Sequence, residues 1–201
     1  MSSLIKARGL SKKYGNFQAL DGVDFNIEAG RIVGLIGPNG AGKTTALKAL
    51  LGLTRFDGEL EVCGLDPRLQ RHKLMQQVSF IADVAVLPGW MKVAEAIDFV
   101  EGVHPAFNRA RALEMLSLTQ IPLKKKIKQL SKGMVTQLHL ALILAIDAKI
   151  LVLDEPTLGL DILYRKAFYD RLLNDYFNED RTIIITTNQV EEIEYLLTDL
   201  L

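Results

Sequence analysis

A short apolar run, Arg31–Ile36, passes without a break into Gly37-Pro38-Asn39-Gly40-Ala41-Gly42-Lys43-Thr44-Thr45, and Ala46–Leu53 follow with helical character. Strand, glycine-rich turn and helix in that order match the phosphate-loop pattern G-x-x-x-x-G-K-[ST] in the context it requires. Glycines let the backbone curl so that successive N–H groups point inward as a nest for anionic oxygens, and the helix adds its positive N-terminal end. Lys43 is then expected to reach β- and γ-phosphates, and the Thr44 hydroxyl to ligate Mg²⁺. Gly37, Pro38, Asn39, Gly40, Ala41, Gly42, Lys43, Thr44 and Thr45 are accordingly the candidate nucleotide-binding residues. The loop says nucleoside triphosphate but not which class of machine. The alternative, a glycine-rich turn of no chemical meaning, fits the flanking strand and helix poorly.

Three further apolar runs, Val78–Ile81, Ile150–Leu153 and Thr182–Thr186, lack alternation and suit strands buried on both faces of a parallel sheet. Helical stretches separate them, which predicts a layered α/β core. Residues 1–30 alternate apolar and polar positions, broken at Gly9, Gly15, Gly22 and Gly30, and read as short antiparallel strands. Between about Asp83 and Gln129 the spacing turns helical, with Pro88, Pro105 and Pro122 in loops, as for a small inserted helical lobe. The predicted division is a core of 1–82 and 136–201 with a lobe of about 83–135.

Asp154 and Glu155 stand where the run Ile150–Leu153 ends. Ligands of open α/β sheets bind at the carboxyl ends of strands, so the two acids belong beside the phosphate loop. Asp154 is the expected holder of Mg²⁺ or of its waters. Glu155 is the expected polariser of an attacking water. Solvation of a turn is the competing reading of the pair.

Lys plus Arg and Asp plus Glu number 24 each, so charge gives no reason to expect a polyanionic partner, and no nucleic acid is expected. The basic run Lys124–Lys128 reads as a solvated loop. One cysteine, Cys63, forbids an intrachain disulfide. The first residues carry no apolar leader core, and no window approaches the ~20 apolar residues that cross a bilayer. A membrane role would therefore come through partners.

Leu130-Ser131-Lys132-Gly133-Met134 opens an apolar helix ahead of Asp154-Glu155-Pro156. Here the chain resembles the nucleotide-binding subunits of ABC transporters, whose signature reads Leu-Ser-Gly-Gly-Gln; Ser131 and Gly133 match, Lys132 and Met134 depart. The 87 residues from Lys43 to Leu130 are the transporter-like spacing. The resemblance covers the whole chain, and the wording around it is most like bacterial ABC-2-type exporter subunits. It implies a P-loop NTPase (RecA-like) core with an N-terminal antiparallel β subdomain, and ATP and Mg²⁺ as cofactors. Tyr14 matches the aromatic that stacks on adenine, a packed surface tyrosine being the alternative. The implied assembly is a head-to-tail homodimer in which Ser131 and Gly133 touch the opposite subunit's ATP and Leu160 and Asp161 cross the interface. The implied partner is a polytopic membrane subunit, and the implied place of this chain is cytoplasmic, peripheral on the inner face of the cell membrane. The apolar stretch Val84–Met91 would receive that subunit, with Trp90 as anchor, packing of the helical lobe itself being the alternative.

Two positions depart from the family pattern. Asp83 stands where Gln is usual; an Asp can still contact Mg²⁺ or its waters but adds negative charge beside triphosphate, an acid pointing to solvent being the alternative. Asn188 follows Thr186-Thr187 where the family places a switch histidine. Asparagine keeps a donor but cannot become a cation, which predicts bound ATP and slow hydrolysis. His72 and His104 read as surface residues and His139 as core, none of them catalytic. The apolar end, Leu196–Leu201, reads as a truncated C-terminus, since the family normally continues into at least one more strand. Two other readings stay open: a nucleotide-sensing module that does not turn over, and a soluble ABC-type factor acting on ribosomes or DNA.

Overall fold

The computed structural model describes residues 3–81, 87–157, 162–188 and 190–201, which divide into two compact units. Asp83, Leu160 and Asp161 lie outside the described residues. The first unit comprises 1–80, 149–156 and 177–201. In chain order it contains β1 (Ser3–Tyr14), β2 (Phe17–Glu28), β3 (Ile32–Ile36), α1 (Lys43–Leu50), β4 (Asp57–Val62), α2 (Arg71–Leu74), β5 (Val78–Ile81, at its boundary), β6 (Ile150–Asp154), β7 (Thr182–Thr187) and β8 (Asp199–Leu200).

The strands form two sheets. One is antiparallel, ordered β2-β1-β4, and the other is five-stranded, ordered β5-β6-β7-β3-β8. In the second, β6–β7, β7–β3 and β3–β8 pair in parallel. The α/β expectation with a separate antiparallel sheet is therefore met. Ile150–Leu153 and Ile183–Ile185 are essentially inaccessible, as continuous apolar runs in a parallel sheet require.

The N-terminal part differs from the expected string of short strands. β1 and β2 are 12 residues each, and only Gly15 lies in the turn that joins them. Gly9 lies within β1 at an irregularity of register between Ala7 and Leu10. The extra residue moves the buried face from Ile5 and Ala7 to Leu10, so the alternation breaks without ending the strand.

α1 is the packing centre of this unit. Its Leu47 and Leu50 join Ile5, Leu10 and Leu60 of the antiparallel sheet and Val33, Val152 and Ile184 of the parallel one in a single core. Full burial of each such side chain contributes about 1.5–3 kcal/mol, so the helix that follows the phosphate loop is anchored on both sides.

Cys63 and Gly64 both take positive φ, 53° and 75°, and the backbone groups of Val62 and Leu65 bond reciprocally across them. That is the two-residue hairpin turn whose twist suits flanking strands. Burial pushes the Cys63 thiol up to about 11. Alkylation of the folded chain by iodoacetamide at pH 8 is expected to run about 10²-fold slower than that of the unfolded chain. The raised value favours the protonated thiol in the folded state. Its contribution to stability is thus full below the ordinary value of 9.0 and is lost as pH rises toward about 11.

The second unit, 81–148 and 157–176, is helical. It holds α3 (Val93–Val103), α4 (Arg109–Ser117), α5 (Lys132–Leu144) and α6 (Ile162–Arg171), the last running into a π-helical turn at Leu172–Tyr176. Asn108 caps α4 by accepting from the Arg111 N–H at 3.0 Å, satisfying one of the free donors of the first turn. Val93, Ile97, Ala112, Leu116, Leu138 and Leu142 are buried. No helix among the described residues is long and apolar enough to cross a membrane.

Candidate active site

β3 ends at Ile36 and the phosphate loop begins. Gly42 has φ 91°, and a Cβ there would run into the Ala19 carbonyl oxygen, so the position admits only glycine without displacing β2. Gly42 also supplies the first carbonyl of α1, accepting from Ala46 N–H at 2.8 Å. Lys43 and Thr44 therefore start a helix whose first N–H groups have no partner within it.

Lys43 Nζ donates to the Gly37 carbonyl, to the Pro38 carbonyl at 3.2 Å and to Asn188 Oδ1 at 2.9 Å. Asn188, one residue beyond β7, also donates from Nδ2 to Asn39 Oδ1 at 3.0 Å. Thus Asn39, Lys43 and Asn188, drawn from β3–α1 and from the end of β7, meet in one hydrogen-bonded group.

Asp154 ends β6 and is 6% exposed. Its Oδ1 accepts from the Thr186 hydroxyl at 2.6 Å, and its Oδ2 faces the Thr44 hydroxyl at 3.5 Å, the long limit of a hydrogen bond. The β6–β7 register sets Asp154 directly opposite Thr186. Glu155 takes φ 47°, a left-handed conformation that is uncommon for a residue with a Cβ. Its N–H donates to both the carbonyl and the hydroxyl of Thr186, at 3.2 and 3.1 Å. Thr186, wholly buried, thereby orients the carboxylate of Asp154 and holds the backbone of Glu155 in its turn.

Sequence reasoning gave Thr186 no role. The signal was present: a threonine that directly follows three isoleucines near the end of a strand, in a sheet where another strand ends on Asp154. A buried hydroxyl needs a partner, and the carboxylate provides one.

Tyr14 is 46% exposed, with Lys12 Nζ 4.8 Å from its ring centroid and its hydroxyl 3.5 Å from the Thr54 hydroxyl. The hydrogen bond to Thr54 is the main cause holding its phenol below the ordinary range; burial opposes this, and Thr45, Lys12 and Lys48 add to the lowering. An exposed aromatic face tethered through its hydroxyl beside α1 suits stacking of a base.

Among the described residues no three His, Cys, Asp or Glu side chains gather as a metal site. The Thr44–Asp154 pair is nonetheless the donor set that Mg²⁺ takes from proteins, one or two oxygens with phosphate and water completing the octahedron. The residues present fit that ion.

In the helical unit, Ser131 is the N-cap of α5, its hydroxyl accepting from Met134 N–H at 3.2 Å, and Gly133 lies in the first turn. Trp90 is 69% exposed. His72 is exposed. His104 is half-buried rather than on the surface, its Nδ1 accepting from Ala106 N–H at 3.3 Å, and His139 is half-buried rather than core, with burial holding its imidazole below the ordinary value. The chain of Lys124, Lys125, Lys126 and Lys128 is exposed, as a solvated loop should be.

The family model for ABC transporters matches residues 20–158. Nod factor export ATP-binding protein I of Ralstonia nicotianae is 34% identical over 203 residues, covering 98% of this chain and 63% of the relative. A protein of Escherichia coli named "Probable multidrug ABC transporter ATP-binding protein YbhF" is 34% identical over 199 residues, covering 96% of this chain and 34% of the relative. The chain thus spans less than two thirds of the length of both. Among solved structures, an ATP-binding subunit of an ABC transporter superposes with a TM-score of 0.84 at 24% identity, covering 96% of this chain and 83% of the other, a likeness of fold. A Pyrococcus furiosus protein described as an ABC transporter ATP-binding protein gives 0.78 at 27% identity, covering 93% and 92%. A family model spanning most of the chain, and relatives above 30% identity over nearly all of it, establish that the chain belongs to the ABC transporter family, within which it resembles the ATP-binding subunits of exporters.

Proposed function

We propose that this chain binds MgATP in the loop Gly37–Thr45, hydrolyses it, and drives export through a separate membrane subunit. The observation that carries the reading is the convergence of Lys43, Thr44, Asp154, Glu155 and Asn188 at the carboxyl ends of β3, β6 and β7. Backbone N–H groups of the loop and Lys43 hold the β- and γ-phosphates, and Tyr14 offers its ring to adenine. Thr44 and Asp154 would hold Mg²⁺, which supplies charge neutralisation to the phosphates when bound. Glu155 polarises a water for in-line attack on the γ-phosphorus, the bond to the β–γ bridging oxygen breaks, and ADP and phosphate leave. From the family pattern alone, Asp83 would serve the same metal or its waters.

Two such chains would close head to tail on two ATP molecules, with Ser131 and the free N–H groups at the start of α5, including that of Gly133, presented to the nucleotide of the opposite copy. Membrane coupling would run through the helical unit, where the exposed Trp90 is a fitting anchor for a short helix of the membrane subunit. The exporter names of the relatives favour this direction of transport and a peripheral place on the cytoplasmic face.

Asn188→His is the test. A histidine at this position gives the transferring phosphate a longer donor, and kcat for ATP is expected to rise at least about tenfold, read as phosphate release under steady state. Parent and variant that both bind ATP yet turn over no faster than Glu155→Gln would favour the second reading, a nucleotide-sensing module. The bond from Lys43 to Asn188 is the observation on that side, because it ties the principal phosphate ligand to a protein acceptor.

A further inference from the structure

The Lys43 ammonium has three N–H donors, and three protein acceptors meet it: the Gly37 and Pro38 carbonyls and Asn188 Oδ1. The two carbonyls belong to the phosphate loop itself. Asn188 is a side chain on another segment that turns about single bonds, so its oxygen is the partner that exchanges most readily. The same amide is engaged at its other end, where Nδ2 donates to Asn39. Both halves of one amide are therefore in use, and Asn188 bridges the loop from Asn39 to Lys43. Asparagine suits this bridge because it is neutral and offers an acceptor. A protonated imidazole offers two donors and no acceptor, and its charge would repel the ammonium.

From this geometry we propose that Asn188 competes with nucleotide phosphate for Lys43 and so sets the preference for triphosphate over diphosphate. The inference rests on reading Gly37–Thr45 as the phosphate site. A phosphate oxygen that bonds Lys43 displaces Asn188 Oδ1. With a triphosphate, the released amide donates the second N–H of Nδ2 to the terminal phosphate, so the lost bond is replaced while the bond to Asn39 is kept. A diphosphate takes Lys43 through its β-phosphate and offers no such return contact. Asn188 therefore weakens ADP more than ATP and speeds loss of product.

The experiment is calorimetric titration of the parent, Asn188→Ala and Asn188→Leu with MgADP and with the magnesium complex of β,γ-imido-ATP. Both variants remove the acceptor, and leucine retains the bulk. ADP is expected to bind both variants about 5–10-fold tighter than the parent, the net worth of one ordinary hydrogen bond, while the imido analogue changes by less than about threefold. ADP affinity that is unchanged or weaker in either variant, with the parent still binding the analogue, overturns the competition. A parent that binds neither nucleotide overturns the phosphate-site reading along with it, which distinguishes the two failures.

Discussion

Glu155→Gln is expected to lower the maximal rate of ATP hydrolysis by about 10²–10⁴-fold while leaving ATP affinity within about threefold of the parent. Glutamine keeps the size of the side chain and its ability to orient a water, but it cannot accept a proton. The backbone of Glu155 is fixed independently of its carboxylate, by the two bonds from its N–H to Thr186, so the substitution leaves the turn in place. Initial rates of phosphate release at saturating MgATP, paired with equilibrium binding, separate the two quantities. A variant that turns over within threefold of the parent would remove Glu155 from the reaction.

Thr186→Val is expected to reduce kcat by about 10–10²-fold and to raise the Mg²⁺ concentration for half-maximal activity, with ATP binding in EDTA little changed. Valine matches threonine in shape and deletes the hydroxyl that donates to Asp154 at 2.6 Å and accepts from Glu155 N–H at 3.1 Å. A buried carboxylate oxygen without its donor costs about 1–3 kcal/mol, so a lower unfolding midpoint should accompany the change. Destabilisation alone would not move the Mg²⁺ dependence. Thr186→Ser restores the hydroxyl and is expected to recover both kcat and the Mg²⁺ response. Failure of serine to recover them would assign Thr186 to packing.

The parts of the fold legible in the sequence are those specified by local order. Ile150–Leu153 and Ile183–Ile185 announce doubly covered strands by their unbroken apolar character, and they belong to two of the three inner strands of the five-stranded sheet. Lys43, Thr44 and Asp154 could be named because each belongs to a short motif bounded by a strand. The extent of β1 and β2 was not legible, because a glycine that bends a strand and one that ends it look alike in sequence. Gly9 lies at a bulge within β1, whereas Gly15 lies in the turn after it.

The connections between motifs were legible least. Thr186 faces Asp154 only because β6 and β7 pair in one register, and a shift of one residue would turn its hydroxyl to the other side of the sheet. Likewise the departure at Asn188 could be seen, but not that its amide reaches both Asn39 and Lys43. Those contacts join segments about 145 residues apart in sequence, and no local pattern encodes them.

Phosphate release from ATP by the unmodified chain, followed with and without Mg²⁺ beside the Glu155→Gln variant, tests the proposed chemistry most directly. The expected result is release that saturates with ATP, requires Mg²⁺ and falls to background in the variant. Binding of ATP with release no greater than that of Glu155→Gln would contradict it.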